Sequence, residues 1–237
     1  IRPRGIKFDM SKMRWIGNMA ALNSMVVAMG HVAKTLDDAK KKEIVVAASG
    51  KGSETYIFPK FLNSAVGTRF KIVTGYRGTA KMTNAMESGE AQARGGSWQS
   101  WNVIRPHWIG TDKIGVLVQA GLTPHPDPAV KHVPMLVDVV SAEYKPIAAL
   151  LSAPVSMARI VGTPPDVPND RIMALRKIFM ETMKDPAFLA DARKRKMELY
   201  VLSGEQVEAN IAKLMKTPKS ILKRTADILG YTKKKKK

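Results

Sequence analysis

The sequence predicts an α/β fold built on a mostly parallel sheet, and three observations carry that expectation. Between Glu43 and Gly121, strand-like and helix-like segments alternate, beginning and ending on a strand. The first strand of the series, "EIVVAAS", is almost continuously apolar, as in a parallel strand covered on both faces. Three strands of the series run into their helices through short turns rich in glycine and hydroxyl side chains.

The elements follow in order. "MRWIGNMAALNSMVVAMG" (Met13 to Gly30) starts with mixed apolar character and closes on a β-like run, Met25 to Met29. "KTLDDAKKKE" reads as a short polar helix. Thr35 is placed to cap it, and Asp37 and Asp38 lie in the first turn, where the helix dipole favours carboxylates. After the strand "EIVVAAS", "SETYIFPKFLNSAVG" sets Tyr56, Phe58, Phe61, Leu62 and Ala65 at roughly helical spacing, and Gly67 ends the helix. Pro59 either kinks this helix or marks a late start. "RFKIVTG" is the next strand and "YRGTAKMTNAMESGE" the next helix, with Ala80, Met82, Ala85 and Met86 as its apolar stripe. "AQARGGS" is a short strand, followed by "WQSWNVIRPHWI" and the strand "KIGVLVQAG".

From Thr123 the texture changes. "TPHPDPAVKHVP" holds four prolines in twelve residues and reads as an extended linker over a surface. "ALLSAPVSMARIVGTPPDVP" resembles a strand leading into a proline-rich stop. Asn169 or Asp170 can cap the following helix, whose Ile172, Leu175, Ile178, Phe179 and Met183 form one apolar face. "PAFLADARKRK" continues helical and "MELYVL" is a short strand. Ser203 with Gln206 forms a capping box for the next helix, and a last helix begins near Pro218.

Composition sets the limits on function. With 237 residues, 45% of them apolar and 25% charged, the chain can bury a sizeable core in one large domain or two lobes. No stretch approaches the ~20 apolar residues of a membrane helix, and "IRPRGIKFDM" has no apolar h-region behind its charges, so a signal peptide is not expected in this chain. Cysteine is absent, which excludes disulfides, thiolate metal sites and cysteine nucleophiles. The net charge is +19. Lys233 to Lys237 supply five of these charges, leaving +14 on the rest, a balance that favours anionic partners. The lysine run itself reads as a solvated, disordered end rather than a functional arm.

Several reactive chemistries find no support. "SGKGS" invites comparison with the phosphate loop GxxxxGK[ST]. It departs at Gly52, where Ser or Thr is required, and at Val45, where the first Gly belongs. His31, His107, His125 and His132 show no metal-ligand spacing, and "GGSWQ" lacks the final glycine of a nucleophile elbow. No cofactor, metal or catalytic set is expected, and the chain does not read as an enzyme. Trp98, Trp101 and Trp108 with Arg94 and Arg105 are either aromatic cover over a lobe interior or a stacking strip for single-stranded nucleic acid. The physics of the glycine turns survives the failed phosphate motif: N–H groups at a helix N-terminus point at an arriving anion. Ser49 to Ser53, "TGYRGTA" (Gly75, Gly78, Thr79) and "RGGSWQS" (Gly95, Gly96, Ser97, Ser100) supply three such turns. In a parallel sheet they converge on one edge, where they form a donor-lined cup for a carboxylate.

The block "LNSAVGTRFKIVTGYRGTAKMTNAMESGEAQARGGSWQSW" resembles the solute receptors of tripartite tricarboxylate transporters, the Bug proteins, as do "KIGVLVQAGLTPHPD", "VPMLVDV", "GTPPDVPNDRIMALRKIFMETMKDPAFLADA" and "LSGEQVE" downstream. The likeness spans about Phe8 to Thr225. It implies a type II periplasmic-binding-protein fold, two α/β lobes joined by crossover strands at Met25 to Met29 and near Leu150 to Val161. In that picture residues 1–27 are a remnant of the first lobe, 28–150 the contiguous second lobe, 151–232 the C-terminal part of the first, and 233–237 the tail. The resemblance implies that the first lobe is incomplete here, since family members begin with a strand, glycine turn and helix ahead of the matching residues. Carried over, the ligand-facing positions are Ser49, Gly50, Gly52, Ser53, Thr55, Tyr76, Gly78, Thr79 and Ser97. Lys51, Arg77 and Trp98 beside them complete the expected set. The resemblance implies a periplasmic receptor that closes its lobes on a small organic carboxylate and delivers it to membrane permease subunits. It implies neither membrane insertion nor a nucleic-acid partner. The alternative, from charge alone, is a polyanion- or nucleic-acid-binding protein, which predicts affinity falling steeply with salt.

Overall fold

The structure, a computed structural model, describes residues 9–232. Residues 1–8 and the lysine run 233–237 lie outside the described residues. In chain order the elements are β1 (Arg14–Asn18), β2 (Ser24–Met29), α1 (Leu36–Lys41), β3 (Ile44–Ala48), α2 (Glu54–Ala65), β4 (Phe70–Thr74) and α3 (Thr79–Glu87). Then come β5 (Ala93–Ser97), α4 (Trp98–Ile104), β6 (Ile114–Ala120), α5 (Lys145–Ser152), β7 (Ile160–Thr163), α6 (Asn169–Thr182), α7 (Pro186–Lys194), β8 (Leu202–Ser203), α8 (Gly204–Met215) and α9 (Lys219–Leu229). The chain divides into two compact units. One holds Asn23–Ser152 with the segment from Lys219, the other the chain up to Leu22 with Ala153–Pro218.

The first unit is built on a five-stranded sheet of order β4-β3-β5-β2-β6. β3 runs parallel to both β4 and β5, in register from Ile44 opposite Phe70 to Ala48 opposite Thr74. β2, earliest of the five in sequence, lies between β5 and β6 and is antiparallel to both. The series expected from the sequence is therefore present, with one antiparallel strand inserted into it. Apolar runs buried on both faces explain the core: Met25, Val27 and Ala47 on the strands pack with Met82, Ala85 and Met86 of α3. Trp98, Trp101 and Trp108 are all buried in the same cluster. That burial corrects the stacking-strip alternative, since a base cannot reach rings sealed inside a core. Ala80, expected on the apolar stripe of α3, is exposed.

Local chemistry sets most helix boundaries. Thr35 caps α1 in a full capping box with Asp38, and Ser203 with Gln206 does the same for α8. α2 starts at Glu54 and runs through Pro59, which is buried inside it, so neither a late start nor a break occurs there. Residues 121–144 form no helix, and no strand beyond an isolated bridge at Met135, but they are not a surface linker. Val130 and Leu136 are fully buried. Gln119 ties the segment down: its Nε2 donates to the Val130 and Val133 carbonyls at 3.1 and 2.7 Å, and its Oε1 accepts from His125 N at 2.8 Å.

The second unit has a three-stranded antiparallel sheet, β7-β1-β8, with α6 and α8 packed on β1. A Cβ on Gly17 would lie 2.2 Å from the Phe179 ring, so only glycine lets α6 approach β1 this closely. Trp15, Met157, Val207 and Ile211 form the core against α8. Five expectations are corrected at these elements. "ALLSAPV" is helix α5 followed by a short 3-10 turn, and only Ile160–Thr163 is a strand. "MELYVL" retains just Leu202 as strand, paired with β1. α6 has Pro168 at its N-cap and so no side-chain cap; Asn169, whose Oδ1 accepts from Arg14 Nη2 at 2.8 Å, and Asp170 already lie in its first turn. On α6, Ile172 and Met183 are buried and Phe179 half-buried, whereas Leu175 and Ile178 of the same expected face are exposed. α9 differs from the expected lobe assignment: it packs on α2 and α5 and belongs to the first unit. Among the described residues no helix is long and apolar enough to cross a membrane.

Candidate functional site

Because β3, β4 and β5 are parallel, their carboxyl ends reach one edge of the sheet, and there each chain turns into a helix. The first turn, Ser49 to Ser53, closes on its own hydroxyls. Thr55 Oγ1 accepts from Ser49 N at 3.0 Å and lies 2.5 Å from Ser53 Oγ, which donates to the Gly50 carbonyl at 2.9 Å. Ser53 thus holds the loop shape instead of capping α2, whose first turn receives no side-chain cap. A Cβ on Gly50 or Gly52 would meet nothing within 4 Å, so the backbone of this turn is open. Lys51 is exposed, and its carbonyl accepts the Tyr231 hydroxyl, which joins the segment after α9 to the turn.

The second turn is anchored to the first. The N–H groups of Gly75 and Tyr76 donate to the Ala48 carbonyl at 3.1 and 3.3 Å. Gly75 and Gly78 both have positive φ, +116° and +85°, with open space at the Cβ position; side chains rarely adopt such backbone, which explains the glycines. Gly78 is the N-cap of α3 and has no side chain to offer its N–H groups. Tyr76 is turned away: its hydroxyl donates to Glu90 at 2.7 Å, and that bond, aided by burial, raises the phenol above its ordinary pKa. Thr79 is half-buried and Arg77 exposed.

The third turn touches the first from the other side, since a Cβ on Gly95 would lie 3.0 Å from Thr55 Cα. Ser97 stands at the N-cap of α4 and makes no side-chain cap, while its carbonyl accepts Ser100 Oγ at 2.7 Å. Trp98 is a core residue. It is 1% exposed, and its indole N–H donates to Asp127 Oδ2 at 2.7 Å, which removes it from the expected ligand set. The structure therefore gathers Ser49, Gly50, Gly52, Ser53, Thr55, Gly78, Thr79 and Ser97 at one edge, with Lys51 and Arg77 on the outside and Trp98 and the Tyr76 hydroxyl directed elsewhere.

Sequence reasoning placed Arg94 only among the tryptophans, and its position is different in kind. The side chain is fully buried within β5, its guanidinium carbon 3.6 Å from the Trp101 ring centroid. Nη1 and Nη2 each donate to Ser100 Oγ at 3.3 Å, Nη1 also to the Gly95 carbonyl, and Nε has no hydrogen-bond partner. Burial pushes this guanidinium down to about 9, with Glu54 pulling the other way, so it stays protonated at neutral pH. The signal that could have found it is an arginine inside an otherwise small and apolar strand, "AQARGGS".

No family model matches the chain, and no curated protein sequence matches it. Solved structures do. A TctC solute-binding protein from Polaromonas superposes with a TM-score of 0.65 at 14% identity, over 92% of this chain and 72% of that one. A protein of R. palustris solved with adipate gives 0.66 at 13%, over 96% and 72%. MatC from Rhodopseudomonas palustris with bound malate gives 0.56 at 16%, over 96% and 73%. The chain has the fold of these solute-binding proteins, and more than a quarter of their length has no counterpart in it.

Proposed function

We propose that this chain is a periplasmic receptor of the tripartite tricarboxylate transporter type. It takes a small organic carboxylate at the three turns, closes on it and delivers it to membrane permease subunits. One observation carries the proposal. At a single sheet edge three glycine-bearing turns open into α2, α3 and α4, and none of their N-cap side chains occupies the helix N–H groups. Elsewhere Thr35, Asp185 and Ser203 do cap α1, α7 and α8. N–H groups left open at the starts of α2 and α3, with the dipole behind them, suit a carboxylate, whereas at α4 the first one, Trp98 N–H, already donates to the Asn23 carbonyl at 3.0 Å. The adipate and malate held by proteins of the same fold support that ligand class.

Titration calorimetry with malate, adipate, citrate and benzoate tests it. The proposal predicts saturable binding of at least one of the four at moderate salt. A chain that is folded by circular dichroism and gives no saturable heat with any of them contradicts it.

A further inference from the structure

A fold keeps a buried cation without a bonded carboxylate only at a cost, because desolvation is not repaid by an ion pair. Arg94 is such a cation. Its hydrogen-bond partners are a carbonyl and a hydroxyl, both neutral, and its Nε is unpartnered while fully buried. It also lies directly under the third turn. Nη1 is 2.9 Å from where a Cβ on Gly96 would sit, and Gly96 holds a φ of +141° that side chains rarely adopt. The face of Trp101 on one side and Ser100 on the other fix the plane of the guanidinium. Ser100 in turn donates to the Ser97 carbonyl, so the charge and the turn backbone are positioned together.

We infer that Arg94 is a positioning residue for the ligand: a fixed positive charge beneath the third turn that makes the site prefer a carboxylate to a neutral solute of the same shape. This deepens the receptor reading and rests on it. The field of a buried charge reaches through a low-dielectric strand with little screening, whereas the exposed Lys51 and Arg77 act through water and salt. Burial thus sets Arg94 apart from the other lysines and arginines among the described residues.

The test uses the full chain with Arg94→Lys, Arg94→Gln and Arg94→Met, titrated with adipate and malate and melted without ligand. A charge role predicts that Gln and Met weaken carboxylate binding by about tenfold or more, while Lys recovers most of the affinity. It also predicts that Arg94→Met melts at or above the wild-type temperature, since an apolar side chain replaces a buried charge whose desolvation outweighs the attraction of Glu54. A purely structural role predicts the opposite pair. Lys then fails as badly as Gln, because it can neither lie flat on Trp101 nor reach Ser100 with two N–H groups, and Arg94→Met melts lower. Either of those results overturns the inference. Wild-type binding that Arg94→Gln leaves unchanged overturns it as well and spares the receptor reading. A wild-type chain that binds neither of these nor citrate nor benzoate contradicts the receptor reading itself, and the melting comparison still reads the role of Arg94.

Discussion

Asp127 shows how a single carboxylate sets the backing of the site. Its Oδ2 accepts the Trp98 indole N–H at 2.7 Å and its Oδ1 accepts Ala129 N at 2.9 Å, joining α4 to the segment that Gln119 ties down. Burial raises this carboxyl, but the two hydrogen bonds and the charge of His125 outweigh it and leave the pKa below its ordinary 3.8. A carboxylate depressed in the folded state contributes stability that is present above the unfolded value and lost as pH falls through the folded one. Denaturant unfolding of wild type and Asp127→Asn checks this: the wild-type advantage should be constant near neutrality and shrink progressively below about pH 4. A gap that stays constant down to pH 2 contradicts it. The two cations near the site separate what was legible in sequence from what was not. Lys51 stands out in a string because it sits in a glycine turn. Arg94 does not, because burial depends on β2, β3 and α4 meeting around β5, and those contacts join residues far apart in the chain.

At the scale of elements, α1, α7 and α8 are finished by their own side chains, whereas α2, α3 and α4 at the sheet edge carry no side-chain cap, nor does α6 behind Pro168. Thr35 Oγ1 accepts Asp38 N and Asp38 returns the bond, so Thr35→Ala should cost about 1 kcal/mol in denaturant unfolding. Ser97 makes no cap for α4, so Ser97→Ala should shift stability by less than about 0.5 kcal/mol. Equal losses at the two positions contradict the distinction. Elements with a punctuated pattern were legible: the capping boxes of α1 and α8, the apolar run of β3 and the glycine after α2 all sit where the sequence puts them. The failures have physical reasons. "ALLSAPVSM" is an apolar run whose periodicity does not separate strand from buried helix, and it folds as α5 and a 3-10 turn. The proline-rich stretch after Thr123 looked solvated by composition, yet the amide of Gln119 satisfies its carbonyls and lets Val130 and Val133 bury. The exposure of Leu175 and Ile178 on α6 follows from what packs on that helix, which no 3.6-residue pattern encodes.

For the whole molecule, the inserted antiparallel strand β2 is the topological fact that sequence alternation could not supply. Strand order depends on pairings between β2, β5 and β6, segments separated by long stretches of chain. The parallel strands β3, β4 and β5 beside it bring three turns to one edge, where we propose that a carboxylate is held. A crystal structure of the chain grown with adipate or malate tests that claim most directly. The carboxylate oxygens are expected within hydrogen-bond distance of backbone N–H groups at the starts of α2 and α3, around Ser53 to Thr55 and Gly78 to Thr79. A carboxylate bound instead in the first unit's groove between Thr35, Val66 and Val139, with the three turns unchanged, contradicts it.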